Sequence, residues 1–411
     1  MLVVASISLG ILLAAAICQV IWVRQFGRLF RGTPSQPTDE WPKAAIILCL
    51  RGADPSLERC LRGILSQNYP RYEVRVVIDH PDDPSRPVVE RVISELGASN
   101  VFIQTLHHHR DTCTLKMNAL IEAITALDNS THVVALIDAD VRAYPDWLRD
   151  LVAPLNESRV GATHGQRWFV PVATNPGTLV RYGWNAGATL QMTAFGIPWG
   201  GSLALRMDAI RDCKILEHWA HCFCDDTSLP PLLHNRGLRA KAVGQATMCS
   251  YERIDLRNAF TFIRRQMLAA RVHHPAWRWV FIFGLSTGAA FGGSVVALAV
   301  AVFQHRWEPA AMSVLGLSSY FLVLVGGLFV VEWYIQPLQK ARNEPVHLIP
   351  WQALAALPLT YAVYLAAMIS ASWLRHVQWR GITYEVSPRG IIRMLEYRPF
   401  VSNVPTGTSL I

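Results

Sequence analysis

The chain has 411 residues, 51% hydrophobic and only 17% charged. That is too apolar for an ordinary water-soluble enzyme, so membrane-crossing segments are the first expectation. The formal net charge of +8 suits basic residues facing anionic lipid; no basic run with interleaved aromatics appears, so no nucleic acid partner is expected. Eight cysteines without a C-x-x-C pair read as free thiols rather than a disulfide frame or a zinc site.

Residues 2–23 are apolar without a charge, and Arg24, Arg28 and Arg31 follow at once. About 20 such residues, rising ~1.5 Å each, cross a bilayer. A signal peptide would carry basic residues before its apolar run. Charges placed after it predict a retained anchor, with the N-terminus outside and the catalytic region cytoplasmic in a multi-pass integral membrane protein.

From residue 33 to 271 the pattern is that of a soluble α/β domain. Apolar runs of strand length at Ala44–Leu50, 74–79, Val101–Thr105 and 133–138 alternate with helical stretches at 56–67, 88–96, 115–127 and 146–155. This predicts a Rossmann-like, mainly parallel sheet covered on both faces, with ligands beyond the carboxyl ends of its strands. The run His107-His108-His109 reads as a solvated loop, because consecutive side chains rarely converge on one ion. Further apolar stretches at 279–303, 310–335 and 348–373 form C-terminal membrane segments, the first two as a hairpin. A basic tail, 374–411, follows with Arg375, Arg380, Arg389, Arg393 and Arg398. Three crossings would put this tail outside, against the positive-inside rule. The segment bearing Pro350 and Pro358 is therefore expected not to cross.

Acidic residues fall where strands are expected to end. Asp79 can accept hydrogen bonds from a base edge or a ribose hydroxyl. Asp82 and Asp83, flanked by Pro81 and Pro84, fit a turn equally well. Asp138-Ala139-Asp140 puts two carboxylates at one strand end, able to hold Mg²⁺ or Mn²⁺ against a nucleotide diphosphate. Asp225-Asp226 precedes a short helix; the pair is either simply favourable with the helix dipole or a source of general base. Trp199-Gly200-Gly201-Ser202 offers an aromatic platform and close backbone approach. The stretch 256–271, with Arg264, Arg265 and Arg271, suits lipid headgroups, or a departing diphosphate.

In this order the constellations resemble the family-two glycosyltransferases with the GT-A fold, above all the ceramide glucosyltransferase branch. Gln67-Asn68-Tyr69-Pro70 with Tyr72-Glu73-Val74 resembles the approach to a first nucleotide-binding aspartate, here Asp79. Lys116 and Asn118 match an element near the donor diphosphate. Asp138 and Asp140 match the metal site, with Asp138 also near the nucleotide-sugar. Asp226, in Asp225-Asp226-Thr227-Ser228-Leu229, matches the catalytic base. Val160-Gly161 and His164-Gly165 resemble a segment with a functional histidine, and Trp379-Arg380-Gly381 with Tyr384 a terminal signature. The family's Q/R-x-x-R-W pattern is missing: the stretch reads Ile263-Arg264-Arg265-Gln266-Met267. The resemblance implies an inverting transfer of a sugar from a nucleotide-sugar donor, such as a UDP-sugar, to a membrane lipid acceptor at the lipid bilayer. Mg²⁺ or Mn²⁺ would serve as cofactor. His164, Trp199, Gly200, Arg264, Arg265, Gln266 and Arg271 are candidates for acceptor or diphosphate contacts. A polysaccharide synthase, a polyprenyl-phosphate transferase and an inactive membrane scaffold remain alternatives.

Overall fold

The computed structural model describes residues 1–31, 40–387 and 390–400. The expected domain start at Thr33 and the tail residue Arg389 lie outside the described residues. Strands β1 (Ala44–Leu50), β2 (Tyr72–Ile78), β3 (Val101–Thr105), β4 (Val133–Ile137), β5 (Val160–His164), β7 (Ser202–Arg206) and β8 (Arg239–Ala242) form one sheet in the order β3-β2-β1-β4-β7-β5-β8. Within it β7 runs against its neighbours β4 and β5. A two-stranded parallel ladder, β6 (Arg167–Phe169) and β9 (Met248–Ser250), stands apart from it.

The four parallel strands foreseen from apolar runs are all present. Their register aligns Leu50 with Ile78, and Leu48 with Ile137. Asp79 and Asp138 therefore leave the sheet along the same edge, one residue beyond their strands. Helices cover both faces. On one face, helix Leu57–Leu65 buries Leu57, Cys60, Leu61 and Ile64, the i, i+3, i+4, i+7 stripe of an amphipathic helix. On the other, helix Leu115–Thr125 is buried nearly all round. Gly97 ends helix Ser85–Leu96 at φ 60°, the left-handed conformation that glycine adopts at least cost.

Three helices are long and apolar enough to cross a membrane: Leu2–Arg28, Trp277–Phe303 and Trp307–Ala341. The first outlasts the expected 2–23, because Phe26 is fully buried and Gly27 abuts Tyr334. The segment 348–373 is broken: a short helix, Trp351–Ala355, is followed by the 17-residue Leu357–Trp373. Helix Pro176–Phe195 joins the apolar helices to the β6–β9 ladder, packing on β6 as well as on Leu2–Arg28, Leu256–His273 and Leu357–Trp373.

The tail beyond residue 374 is folded. β10 (His376–Trp379), β11 (Ile382–Val386) and β12 (Ile392–Glu396) make an antiparallel sheet. Its Val377, Ile382 and Tyr384 share a core with Leu115, Leu120 and Leu203. Alternating burial in β11 is the signature of a half-buried strand.

Candidate active site

A cavity of about 350 Å³ opens at the carboxyl ends of β1, β2 and β4. Asp79, Lys116, Asp138, Asp140, Trp199, Gly200, Asp225, Asp226, Arg265 and Gln266 all line it. His164, Arg264 and Arg271 do not. His164 is buried at the end of β5 with Nδ1 3.0 Å from the Gly165 carbonyl, and burial pushes its imidazole down to about 4. Arg271 donates to the carbonyls of Ala371, Ser372 and Leu374, the last carbonyls of helix Leu357–Trp373. The structure thus gives Arg271 a capping contact and sets His164 behind the site.

The carboxylates are held by internal cations. Lys116 Nζ lies 2.8 Å from Asp138 Oδ1 and 3.3 Å from Asp225 Oδ2, the second an ion-pair contact without hydrogen-bond geometry. Burial alone would discharge Lys116, but Asp138 and Asp225 outweigh it and keep the amine charged. Burial likewise opposes ionisation of Asp138, and Lys116 overrides it, holding that carboxyl below its usual range. Arg167 donates to Asp140 Oδ2 at 2.8 Å and lies over the Phe169 and Trp199 rings.

The Trp199-Gly200-Gly201 turn closes over the acids. The Gly200 N–H donates to Asp226 Oδ2 at 2.9 Å, and a Cβ at Gly200 would collide with the Asp225 carboxylate. One at Gly201 would collide with Trp199 and crowd Asp138. Burial pushes the Asp225 and Asp226 carboxyls up; Lys116 and, for Asp226, the Gly200 N–H pull back without cancelling it.

At the far end Asp79 is paired with Arg51, and burial still raises its carboxyl. Asp79 Oδ1 is buried without a hydrogen-bond partner among the described residues. Asp83 serves the fold instead. It accepts from the Gly52 and Ser85 N–H groups and from the Ser85 hydroxyl, tying the β1 loop to the next helix. The tail sheet roofs this end. Arg51 donates to the carbonyls of Arg380 and Arg398, Tyr397 donates to the Asp79 carbonyl, and Phe400 lies against Gly52.

The residues fit a divalent cation. With Lys116 on Asp138 Oδ1 and Arg167 on Asp140 Oδ2, Asp140 Oδ1 is left buried without a partner among the described residues, and Asp138 Oδ2 faces the Gly201 backbone. Two hard oxygens at one strand end suit Mg²⁺ or Mn²⁺, which completes its shell with phosphate and water. No group of three Asp, Glu, His or Cys side chains converges among the described residues.

The cavity does not stop at the domain. It continues past Gln191 and Met192 to Gln19, Val280, Phe283, Tyr320, Leu324, Leu357, Tyr361 and Tyr364, which stand on the apolar helices. The rings of Tyr320, Tyr361 and Tyr364 follow one another at 6.2 Å spacings, and Tyr364 Oη is buried without a partner. Polar side chains placed among apolar helices mark a functional lining. Arg51, Arg167 and this membrane-side lining were not identified from sequence, and Arg380 stood out there only as part of the basic tail and its terminal signature, since nothing local in the chain links them to the carboxylates.

A mainly parallel sheet with one reversed strand and acids at the ends of β2 and β4 is the α/β architecture of the GT-A glycosyltransferases. The chain matches glycosyl transferase family 21 over residues 6–392 and belongs to that family. It is similar to the ceramide glucosyltransferase of Pyricularia oryzae, 32% identical over 78 residues, covering 18% of this chain and 16% of that enzyme. A 62-residue stretch is 38% identical to the ceramide glucosyltransferase of Candida albicans, covering 15% of this chain and 11% of that one. The chain thus spans only a small part of either relative. The fold matches the mannosyltransferase PcManGT from Pyrobaculum calidifontis, solved with GDP-Man and Mn²⁺, at TM-score 0.56 and 18% identity, over 90% of this chain and 99% of that one.

Proposed function

We propose that the chain is an inverting glycosyltransferase that moves a sugar from a nucleotide-sugar, such as a UDP-sugar, to the hydroxyl of a membrane lipid, ceramide or a related lipid. The carrying observation is the continuity of the cavity from Asp226 to residues on four apolar helices. A water-soluble acceptor needs no such lining. A lipid acceptor does, because its chain stays in an apolar environment while its hydroxyl reaches the acids.

Asp79, through its unpartnered Oδ1, takes the base or ribose edge of the donor, and Lys116 lies between the diphosphate and the acids. Asp138 and Asp140 would hold Mg²⁺ or Mn²⁺, which offsets the charge on the leaving group when bound. Asp226 accepts the proton of the acceptor hydroxyl as that oxygen attacks the anomeric carbon. The bond from that carbon to the diphosphate oxygen breaks, and nucleoside diphosphate departs. The raised Asp226 carboxyl suits a base, and the Gly200 N–H fixes its orientation. Arg24 and Arg28 in the last turns of the first helix, with Arg31 just beyond it, favour a cytoplasmic catalytic region.

The test uses the purified full chain in detergent, a panel of nucleotide-sugars and lipid acceptors, with and without Mn²⁺. Nucleoside diphosphate release and mass spectrometry of the lipids are read together. A new glycolipid formed only with metal supports the reading. Release without glycolipid, or none at all, overturns it.

A further inference from the structure

The sequence leaves Arg264, Arg265, Gln266 and Arg271 as alternatives for a contact with the donor diphosphate. Most cations near the acids already have partners. Lys116 bridges Asp138 and Asp225, Arg167 holds Asp140, Arg51 holds Asp79, and Arg181 pairs with Glu252. Arg271 is committed to helix carbonyls and does not face the cavity.

Arg265 is different. It lines the cavity, its guanidinium lies 5.2 Å from the Trp379 ring centre and 5.8 Å from that of Phe262, and among the described residues no carboxylate comes within ion-pair distance of it. Trp379 leads directly into Arg380, which also lines the cavity, at a left-handed turn residue with φ 46°. Arg380 is fixed by donation from Nη1 to the Arg51 carbonyl at 2.9 Å and from Nη2 to Asp54 at 3.3 Å. Burial lowers the Arg265 guanidinium to about 10, with repulsion from Arg380 the next cause. Two like charges thus sit near one another beside Asp138 and Asp140, and the one directly paired carboxylate, Asp54, serves Arg380 alone, which leaves Arg265 without an ion-pair partner among the described residues. Such an arrangement costs energy unless an anion joins it.

We propose that Arg265 and Arg380 together bind the diphosphate of the donor and of the departing nucleoside diphosphate. Planar guanidinium forks suit phosphate oxygens. Arg380 arrives on the turn between β10 and β11, so the folded tail completes the site rather than merely covering it. Two sequence-distant elements, the helix Leu256–His273 and the tail sheet, supply one function. The assignment rests on the donor reading above.

The test is calorimetric titration of the full chain in detergent with Mn²⁺, using UDP, GDP, CDP and ADP, then the matching monophosphate of whichever diphosphate binds. Arg265→Ala and Arg380→Ala should each weaken the diphosphate about tenfold to a hundredfold, the loss of charge-assisted hydrogen bonds. The monophosphate should change far less, and Arg265→Lys should recover part of the loss. Arg265→Ala is decisive where Arg380→Ala unsettles the tail, because the Arg265 side chain makes no hydrogen bond among the described residues. Equal weakening of both nucleotides, or unchanged diphosphate binding in Arg265→Ala, overturns the assignment while the donor reading stands. An unaltered chain that binds none of the four diphosphates overturns both.

Discussion

Two adjacent acids, Asp225 and Asp226, have different surroundings. Both line the cavity, but Asp225 is buried against Lys116, whereas Asp226 is half-buried and accepts from the Gly200 and Thr227 N–H groups. Of the two, Asp226 is the more accessible to an acceptor hydroxyl, and each of its oxygens keeps a second lone pair free to accept from one. Asp226→Asn keeps the shape and removes the base; transfer should fall by about a hundredfold or more, with nucleoside diphosphate binding unchanged by calorimetry. Near-parental transfer would exclude Asp226 as the base. A base works ionised, and burial raises this carboxyl above its ordinary value. kcat/KM should therefore fall with decreasing pH through a limb above ~4, the ordinary aspartate range, and a limb at or below it would contradict the assignment. Asp79 and Asp138 stood out in the sequence because a carboxylate ending an apolar strand is costly unless something binds or pairs with it, whereas Asp225 and Asp226 showed only as paired acids before a helix. The same reasoning could not separate Arg264 from Arg265. The face of a helix that meets a cavity depends on what packs against it, and Arg271 is directed by carbonyls a hundred positions further along the chain.

At the scale of elements, the strands β1 to β4 were readable because buried parallel strands are continuous apolar runs. β5, β7 and β8 were not singled out: β7 is reversed within the sheet, and β8 is short and half-exposed. The tail sheet was missed for a related reason. Its strands are four or five residues long and interspersed with arginines, so basic character dominated the reading. Tyr384 shows what the tail contributes. Its hydroxyl accepts from the Leu115 N–H at 3.2 Å, one of the first-turn donors for which a helix has no partner of its own. That helix carries Lys116 in its next position. Tyr384→Phe leaves the buried donor unsatisfied at a cost of about 1–3 kcal/mol. A lowered melting midpoint in detergent is expected, together with weaker nucleoside diphosphate binding through a displaced Lys116. An unchanged midpoint would show that the tail and this helix are not mechanically joined.

On the scale of the whole molecule, the folded tail constrains how the chain threads the bilayer. Val377 and Tyr384 share a core with the catalytic sheet, so the chain on either side of the membrane segments lies on one side of the membrane. The crossings after His273 must then be even in number. Trp277–Phe303 and Trp307–Ala341 are long and apolar enough to supply two, and Leu357–Trp373, 17 residues and so ~26 Å long, falls short of a ~30 Å hydrocarbon core. Charge counting in the sequence had pointed to the same segment. This shorter helix instead adds Leu357, Tyr361 and Tyr364 to the cavity wall opposite Tyr320 and Leu324. The acceptor's chain would lie between them, keeping ~0.8 kcal/mol of apolar burial for each CH₂ while its hydroxyl meets Asp226. Leu324→Trp puts an indole into that space far from the acids. Transfer to a long-chain acceptor should fall at least tenfold, mainly through KM, while transfer to a short-chain soluble analogue and binding of nucleoside diphosphate stay near parental values. Equal loss on the two acceptors would place the lipid chain elsewhere, and no loss on either would remove the membrane arm of the cavity from the acceptor's path.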